Sequence, residues 1–404
     1  MPASQQKPCR TLLGRPTIFL GWLMIRNRLP LSAHYPMTEI NPAYMKLALR
    51  LAAKGAGWVS PNPMVGAVVV KEGRVVGRGF HRRAGAAHAE VAALRQADET
   101  ARGADLYVTL EPCNHQGRTP PCTEAILAAG LARVIIAIRD PNPRVAGAGA
   151  QSLQSRGLTV EVGLLAKEAR RLNQAWFHWL ESGRPWVIAK AACSLDGKIA
   201  TAGGQSQWLT GEPARAFAHR LRHQVDAILV GIETVLNDDP QLTTRLPRRG
   251  KDPIRIVLDS TLRIPLASRV LHLESPAPTW VACTAAAPAQ KIRALKELGA
   301  EVLVFRGQSR NSRRVPLSDL MRLLGQQQVQ SLLVEGGAET LGSFFQQRLV
   351  NQFFFFFAPK FLGGRRAPGV LGGEGIVHLQ DAPQARELVI RRLGTDLLIK
   401  GYIG

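Results

Sequence analysis

The stretch that decides the reading of this chain starts at His88-Ala89-Glu90. It continues through Asp105-Leu106-Tyr107-Val108-Thr109-Leu110 into Glu111-Pro112-Cys113, then Asn114-His115-Gln116-Gly117-Arg118-Thr119-Pro120-Pro121, and closes on Cys122. One imidazole and two thiolates fill three positions of a tetrahedral zinc site and leave the fourth open to water. A metal there brings the water's pKa towards neutrality, so hydroxide can attack an amidine-like carbon. Glu90, outside the ligand set, is the candidate to carry the proton from that water to departing ammonia. His-x-Glu opening an alanine-rich helix, followed by a strand and Pro-Cys, is the pattern of hydrolytic base deamination. Two plainer readings stand beside it. His88, Cys113 and Cys122 also suit buried filler, or a closed structural zinc site with His115 as fourth ligand.

The chain has 404 residues, enough for two domains, with a net charge of +22,. Such a balance favours an anionic partner, whether nucleic acid, a membrane surface or a phosphorylated metabolite. The basic residues are dispersed, with no long Lys/Arg tract. Five cysteines (Cys9, Cys113, Cys122, Cys193, Cys283) are too few and odd in number for a disulfide framework, which predicts a reducing, cytoplasmic setting,. No stretch is long and apolar enough to span a bilayer. Residues 1–36 hold five Lys/Arg and no acid. That composition fits a targeting segment or an upstream start ahead of Met37. Residues 1–37 are expected to be a poorly ordered extension.

Around the central stretch, the sequence alternates strands and helices. Asn41-Pro42 opens a helix. Pro61-Asn62-Pro63-Met64-Val65-Gly66 is a loop leading into the strand Ala67-Val68-Val69-Val70, with a hairpin turn at Lys71-Glu72-Gly73-Arg74. His81 follows the returning strand. A helix over 123–130 puts Cys122 just before its positive N-terminal end, which suits a thiolate. Gln174 to Glu181 is an aromatic-rich helix, and Ser182-Gly183-Arg184-Pro185 marks the domain boundary. The second half reads as an α/β domain beginning with the strand Trp186 to Ala192. Its Val334-Glu335-Gly336-Gly337 step, strand to helix, suits a phosphate. No Rossmann glycine fingerprint follows the first strand. The run Phe353 to Phe357 is expected to be buried core.

These motifs closely resemble the bifunctional riboflavin-biosynthesis deaminase–reductase family, from about Asn41 to the C-terminus. The residues that carry the likeness are Pro61-Asn62-Pro63-Met64-Val65-Gly66, His88-Ala89-Glu90, and Glu111-Pro112-Cys113 through Cys122. In the second half they are Ser194-Leu195-Asp196-Gly197, Ser206-Gln207-Trp208 and Val334-Glu335-Gly336-Gly337. The stretch Leu349-Val350-Asn351-Gln352 departs from the acidic residues usual there.

The resemblance implies an α/β protein of two parts. Residues 38–182 would be a cytidine-deaminase-like three-layer domain, and residues 183–404 a dihydrofolate-reductase-like domain. It implies zinc on His88, Cys113 and Cys122, with Glu90 as proton shuttle. The substrate would be a phosphorylated pyrimidine ribosylamine. Its 2-amino group would be hydrolysed first, and its ribosylamino side chain would then be reduced by NADPH. Asn62 and His81 are candidates for the pyrimidine on a separate ground, their place in loops beside the strands that should edge the zinc pocket. Ala192, Trp208, Thr234, Asp238, Ser260, Gly336 and Gly337 would line the NADPH site, with Arg263 a further candidate at the 2′-phosphate. Ser206, Arg222, Leu242, Arg245 and Glu335 would hold the second substrate, with Arg222 and Arg245 clamping its phosphate. Lys190 would act electrostatically or as proton donor. A homo-oligomer is expected, with neither nucleic acid nor membrane as partner. The rival reading, a nucleic-acid or tRNA base deaminase with a fused binding domain, requires clustered charge with exposed aromatics along one face.

Overall fold

The computed structural model describes residues 39–115, 120–142, 148–247, 250–306 and 314–404. The extension expected over residues 1–37 and the Gly117-Arg118-Thr119 part of the cysteine loop lie outside the described residues. Helix α1 (Pro42–Ala52) starts as its sequence dictates: the Asn41 side chain accepts from Ala43 N at 2.9 Å, and Pro42 takes the first helical position,. Strands β1 (Gly66–Lys71) and β2 (Arg74–Phe80) form the expected hairpin. There follow α2 (Ala89–Ala97), β3 (Asp105–Val108), α3 (Cys122–Ala128), β4 (Arg133–Ile136), α4 (Ala148–Ser155) and β5 (Thr159–Val162).

The first sheet runs β2-β1-β3-β4-β5. β1 is antiparallel to both neighbours, and β3, β4 and β5 are parallel. Alternation sends Val69, Leu106 and Val134 to one face, under α2, α3 and α4,. Val68, Tyr107 and Ile135 point to the other, under α1 and α5 (Ala166–Leu172). This is the three-layer arrangement expected. Two glycines bring α2 onto β2. A Cβ on Gly77 would stand 2.2 Å from Ala93 O, and one on Gly79 2.1 Å from Ala89 O. Only hydrogen fits there, and the close approach fixes where the start of α2, with His88 and Glu90, can lie.

Helix α6 (Gln174–Ser182) leads into a nine-stranded second sheet. Its elements are β6 (Trp186–Ser194), α7 (Glu212–Gln224), β7 (Ala227–Gly231), α8 (Ile232–Asp238), β8 (Ile254–Leu258), β9 (Thr279–Thr284), α9 (Ala289–Glu297), β10 (Glu301–Phe305), α10 (Leu317–Gln326), β11 (Ser331–Glu335), α11 (Ala338–Gln346), β12 (Gln352–Ala358), β13 (Ala385–Leu393) and β14 (Asp396–Ile403). The order is β10-β9-β8-β7-β11-β6-β12-β14-β13, parallel as far as β12 and antiparallel beyond it. The phenylalanine run is β12, flanked by β6 and β14. Phe354 and Phe356 join the core on one face, and Phe353 and Phe355 that on the other. A central strand covered on both faces reads as a continuous apolar run, not an alternating one. The non-acidic residues before it are also in use. Asn351 Oδ1 accepts from Val187 N at 2.8 Å, and Gln352 Oε1 accepts from Gln174 Nε2 at 3.1 Å. Among the described residues, no helix is long and apolar enough to cross a membrane.

Candidate active sites

His88 is the residue before α2, in extended conformation, and its side chain makes no capping bond. The imidazole therefore turns away from the helix. Its Nδ1 lies 3.1 Å from Cys122 Sγ and 3.6 Å from Cys113 Sγ. Ligand atoms on a tetrahedral zinc, at about 2.0–2.3 Å from the metal, stand roughly 3.6 Å apart. Nδ1 stands within about 0.5 Å of that spacing from each sulfur, and the three ligand atoms all lie within 4.8 Å of one another. Among the described residues no fourth ligand joins the cluster, and His115 is not part of it.

Charge points the same way. The hydrogen bond from Cys122, with His88 nearby, holds the Cys113 thiol down at about 4, against the effect of burial. That bond to Cys113, together with burial, pushes Cys122 up. Two adjacent sulfurs, one buried and one partly so, resist ionising together, and a divalent metal between them removes that conflict,. The sequence reading needs one small correction. Cys122 is the first residue of α3 and not the residue before it, because Pro121 occupies the capping position.

The Pro-Cys segment is fixed from behind. Glu111 is buried, and its carboxylate accepts from Asp140 N at 3.1 Å and Ala150 N at 2.9 Å. Gly149, in the first turn of α4, lies under Pro112: a Cβ there would be 2.0 Å from Pro112 O. Thr123 N donates to Cys113 O at 3.3 Å, which ties the two cysteines' segments together.

Glu90 is 3% exposed. Burial pushes its carboxyl up to about 7, where it can both accept and give a proton near neutral pH,. Asn62 and His81, predicted to edge the pocket, meet there, with Asn62 Nδ2 3.1 Å from His81 Nε2. His81 Nδ1 lies 3.2 Å from Ala87 O. A carbonyl only accepts, so we assign the proton to Nδ1 and the acceptor role to Nε2. Burial lowers the His81 pKa, in keeping with that neutral form. Asn62 is left with its Oδ1 for a ligand. The His81 and His88 rings stand edge to face at 5.5 Å. Sequence reasoning missed Asn173, which is buried and exchanges two hydrogen bonds with Met64, at 2.8 and 2.9 Å. These hold the far end of the Asn62 loop. Asn173 lies 109 residues from Met64, and nothing local marks it.

In the second lobe, the residues expected around NADPH lie at or beyond the carboxyl ends of neighbouring parallel strands, where open α/β sheets bind ligands. Ala192 lies near the carboxyl end of β6, Thr234 follows β7, Ser260 follows β8, and Gly336-Gly337 follow β11. Gly336 and Gly337 have φ of +96° and +73°, a backbone that glycine adopts freely,. No side chain caps α11 behind them. Bare N–H groups at a glycine turn fit a phosphate of the dinucleotide. Thr234 Oγ1 packs against both glycines. Asp238 accepts from Ser206 Oγ at 2.7 Å, which joins a cofactor candidate to a substrate candidate. Trp208 is 62% exposed, with the Arg215 guanidinium 4.9 Å from its ring centre. Ser260 Oγ accepts from Val315 N at 3.3 Å. Arg263, considered for the 2′-phosphate, is paired with Glu233.

Three charges meet at the end of β11. Glu335, 7% exposed, accepts from Arg222 Nε and Nη2, both at 2.8 Å, and its Oε2 lies 3.5 Å from Lys190 Nζ. Burial alone would raise the Glu335 carboxyl, but Arg222 and Lys190 outweigh it and hold it at about 2. Arg222 Nη1 also donates to Thr243 O at 3.1 Å, so three of the five N–H groups of this half of the expected clamp are engaged by protein acceptors,. Arg245 is the other half of the expected clamp. Among the described residues its side chain bonds to neutral groups, Gln241 Oε1 at 3.2 Å and Thr243 Oγ1 at 3.3 Å. Burial, then Arg222 and Arg269, lowers the Arg245 pKa, and burial with Arg222 and Arg245 brings His219 to about 4. An anion there would relieve the repulsion. The Leu242 side chain is in the core at 3% exposure, which leaves its backbone as the part that can meet a ligand.

The class these features define is a zinc-dependent base deaminase joined to an α/β nucleotide-dependent reductase. A family model described as the cytidine and deoxycytidylate deaminase zinc-binding region matches residues 38–138. One described as the RibD C-terminal domain matches residues 185–399. The riboflavin biosynthesis protein RibD of Aquifex aeolicus is 45% identical over 361 residues, covering 89% of this chain and 98% of its own. That of Escherichia coli (strain K12) is 42% identical over 368 residues, covering 88% and 97%. Among solved structures, Acinetobacter baumannii RibD matches with a TM-score of 0.80 and 36% identity, over 90% of this chain and 98% of that one. A diaminohydroxyphosphoribosylaminopyrimidine deaminase/5-amino-6-(5-phosphoribosylamino)uracil reductase from Thermotoga maritima matches with a TM-score of 0.76 and 34% identity, over 90% and 98%.

The chain belongs to the bifunctional riboflavin-biosynthesis deaminase–reductase family. It is a deaminase and a reductase acting on a pyrimidine of that pathway, with zinc and NADPH as cofactors. The nucleic-acid deaminase reading is not favoured, since its fused binding domain corresponds to the reductase half.

Proposed function

We propose that residues 38–182 carry the deamination and residues 183–404 the reduction, on the side chains described above. The observation that supports this best is the His88–Cys113–Cys122 cluster with buried Glu90 outside it. His88, Cys113 and Cys122 would hold a zinc ion that supplies an acidified water,. Glu90 would carry a proton to the departing 2-amino nitrogen, as its raised pKa suits,. Asn62 Oδ1 accepts from the pyrimidine edge, while neutral His81 holds the Asn62 amide in register. Cys122, at the start of α3, has the partial positive charge of that helix end beside its sulfur.

In the reductase half, bound NADPH would supply a hydride to the sugar carbon bonded to nitrogen, after that carbon's bond to the ring oxygen has opened to leave an imine and a hydroxyl. Thr234, Asp238 and the Gly336-Gly337 turn hold the cofactor, and Ser206 links it to the substrate through Asp238. Arg245 takes the substrate phosphate, and Arg222 keeps Glu335 ionised to accept from ring N–H groups. Lys190, against Glu335, would give the imine nitrogen the proton that accompanies the hydride.

A homo-oligomer is part of this reading. β13 is an edge strand with Leu388 57% and Ile390 65% exposed, a surface suited to a second copy,. Sedimentation of the purified chain as a monomer would refute it. The cytoplasm suits the four free cysteines among the described residues,.

The test follows ammonia release and NADPH oxidation on zinc-loaded protein. Glu90→Gln lowers ammonia release by about 10²–10⁴-fold, the usual size of acid–base catalysis. It leaves NADPH-dependent reduction of the pre-deaminated uracil intact. Loss of both activities together, with zinc still bound, would overturn the division of labour.

A further inference from the structure

The segment that carries Asn62 into the deaminase pocket is held by the other lobe. A Cβ on Gly57 would stand 2.3 Å from His223 O and 2.8 Å from its ring Cε1, so backbone and ring are in direct contact. Next to it, the Trp58 ring meets the His223 ring edge to face, with centroids 5.1 Å apart. Three residues further on, Pro61 O accepts from Gln330 Nε2 at 2.5 Å. Pro61 is the residue immediately before Asn62.

The two residues that reach across are themselves fixed. His223 Nδ1 accepts from Lys251 N at 2.9 Å, which sets the ring's orientation. Asp226 Oδ2 accepts from Gln330 N at 3.0 Å, Ser331 N at 3.1 Å and Ser331 Oγ at 3.0 Å. A buried carboxylate with three donors is a rigid anchor. Gln330 directly precedes β11, whose far end is Glu335. His223 directly follows Arg222 on α7. The same two elements that meet in the Arg222–Glu335 pair therefore also touch the Asn62 segment.

We infer that the reductase lobe is a positioning part of the deaminase site: Gln330 and His223 hold residues 57–61 so that the Asn62 amide faces the pyrimidine. This rests on the reading of Asn62 as a substrate contact. Neither residue touches the reacting atoms. Their effect is on substrate binding, while the zinc ligands and Glu90 stand on α2, α3 and the Pro-Cys segment.

The test uses the full, zinc-loaded chain and measures KM and kcat for ammonia release from the diaminopyrimidine ribosylamine phosphate. Gln330→Met keeps the side-chain length and removes the donor; His223→Ala removes the ring. Each is expected to raise KM about fivefold, the size of one lost hydrogen bond or contact, with kcat little changed. Gln330→Met also keeps its zinc content and its NADPH-dependent reduction of the uracil. A merely structural role would lower zinc content or both activities together, and that result overturns the inference. Asn62→Ala is measured alongside. If it raises KM while Gln330→Met and His223→Ala keep the unaltered value, the inference falls and the reading of Asn62 stands. If Asn62→Ala itself leaves KM unchanged, that reading falls and the inference falls with it.

Discussion

Glu335→Gln is the most informative single change in the second lobe. It keeps the shape of the side chain and removes the charge that Arg222 and Lys190 surround at 2.8 and 3.5 Å. The loss can be worked out in two ways. The folded carboxyl sits at about 2 against an ordinary 4.5. At about 1.4 kcal/mol for each tenfold step in acidity, that difference corresponds to roughly 3 kcal/mol. Breaking a buried ion pair by removing one partner costs about 3–5 kcal/mol, because the other charge is left stranded. The two agree, and for a lobe of this size they predict a fall in Tm of about 10 °C at pH 7. The pH dependence has a definite sign. Glu335 is more acidic folded than unfolded, so its contribution is complete above about 4.5 and is lost as pH falls from there towards 2. Calorimetric melting of both proteins between pH 7 and pH 3 measures this. The gap in Tm should be wide at pH 7 and narrow steadily below pH 4.5. A gap under about 3 °C at pH 7, or one just as wide at pH 3, would refute the argument that the ion pair is the dominant interaction there.

Two further predictions probe the sites separately. Gly149→Ala places a methyl 2.0 Å from Pro112 O, so the Glu111-Pro112-Cys113 segment must shift. Zinc affinity should fall about 10–100-fold, as it does when the groups behind metal ligands are disturbed; competition with a chelator measures it, and unchanged retention of zinc would count against the packing argument. Arg245→Ala removes the guanidinium that, among the described residues, bonds neutral groups. KM for the uracil substrate should rise about 10–100-fold, the size of a hydrogen bond to a charged group, while ammonia release keeps its KM; an unchanged reductase KM would move the phosphate elsewhere.

How much of this was legible in the sequence depended on how local each feature is. His88 and Glu90 are one helical turn, and Cys113 and Cys122 flank a single loop, so residue types and spacing carried the zinc site without any knowledge of the fold. Asn41-Pro42 started α1 because capping is decided within three residues. The phenylalanine run was legible as core, but its place between β6 and β14 was not, since apolar runs look alike whichever neighbours they have. The ion pair of Arg222 was hidden for a related reason. A guanidinium in a matched motif suggests an anion, and the nearest anion proved to be Glu335, 113 residues away.

The contacts between lobes lie furthest from what a sequence displays. Gln330 and Pro61 are 269 residues apart and meet through one amide and one carbonyl, groups that leave no compositional trace. Yet the physics that hides them also gives them their meaning. A glutamine that merely faced solvent would need no anchor. Gln330 instead has its backbone N–H held by Asp226, a carboxylate 9% exposed that also receives two donors from Ser331. Immobilising a flexible side chain costs conformational entropy, about 1–2 kcal/mol for a glutamine, which one neutral hydrogen bond barely offsets. Fixing the backbone beforehand reduces what remains to be ordered when Nε2 reaches Pro61. The same economy applies to His223, whose ring is oriented by Lys251 N before it meets Trp58. Two pre-oriented side chains from one lobe, both ending on the residues just ahead of Asn62 in the other, make a surface that constrains a loop and does more than fill a gap.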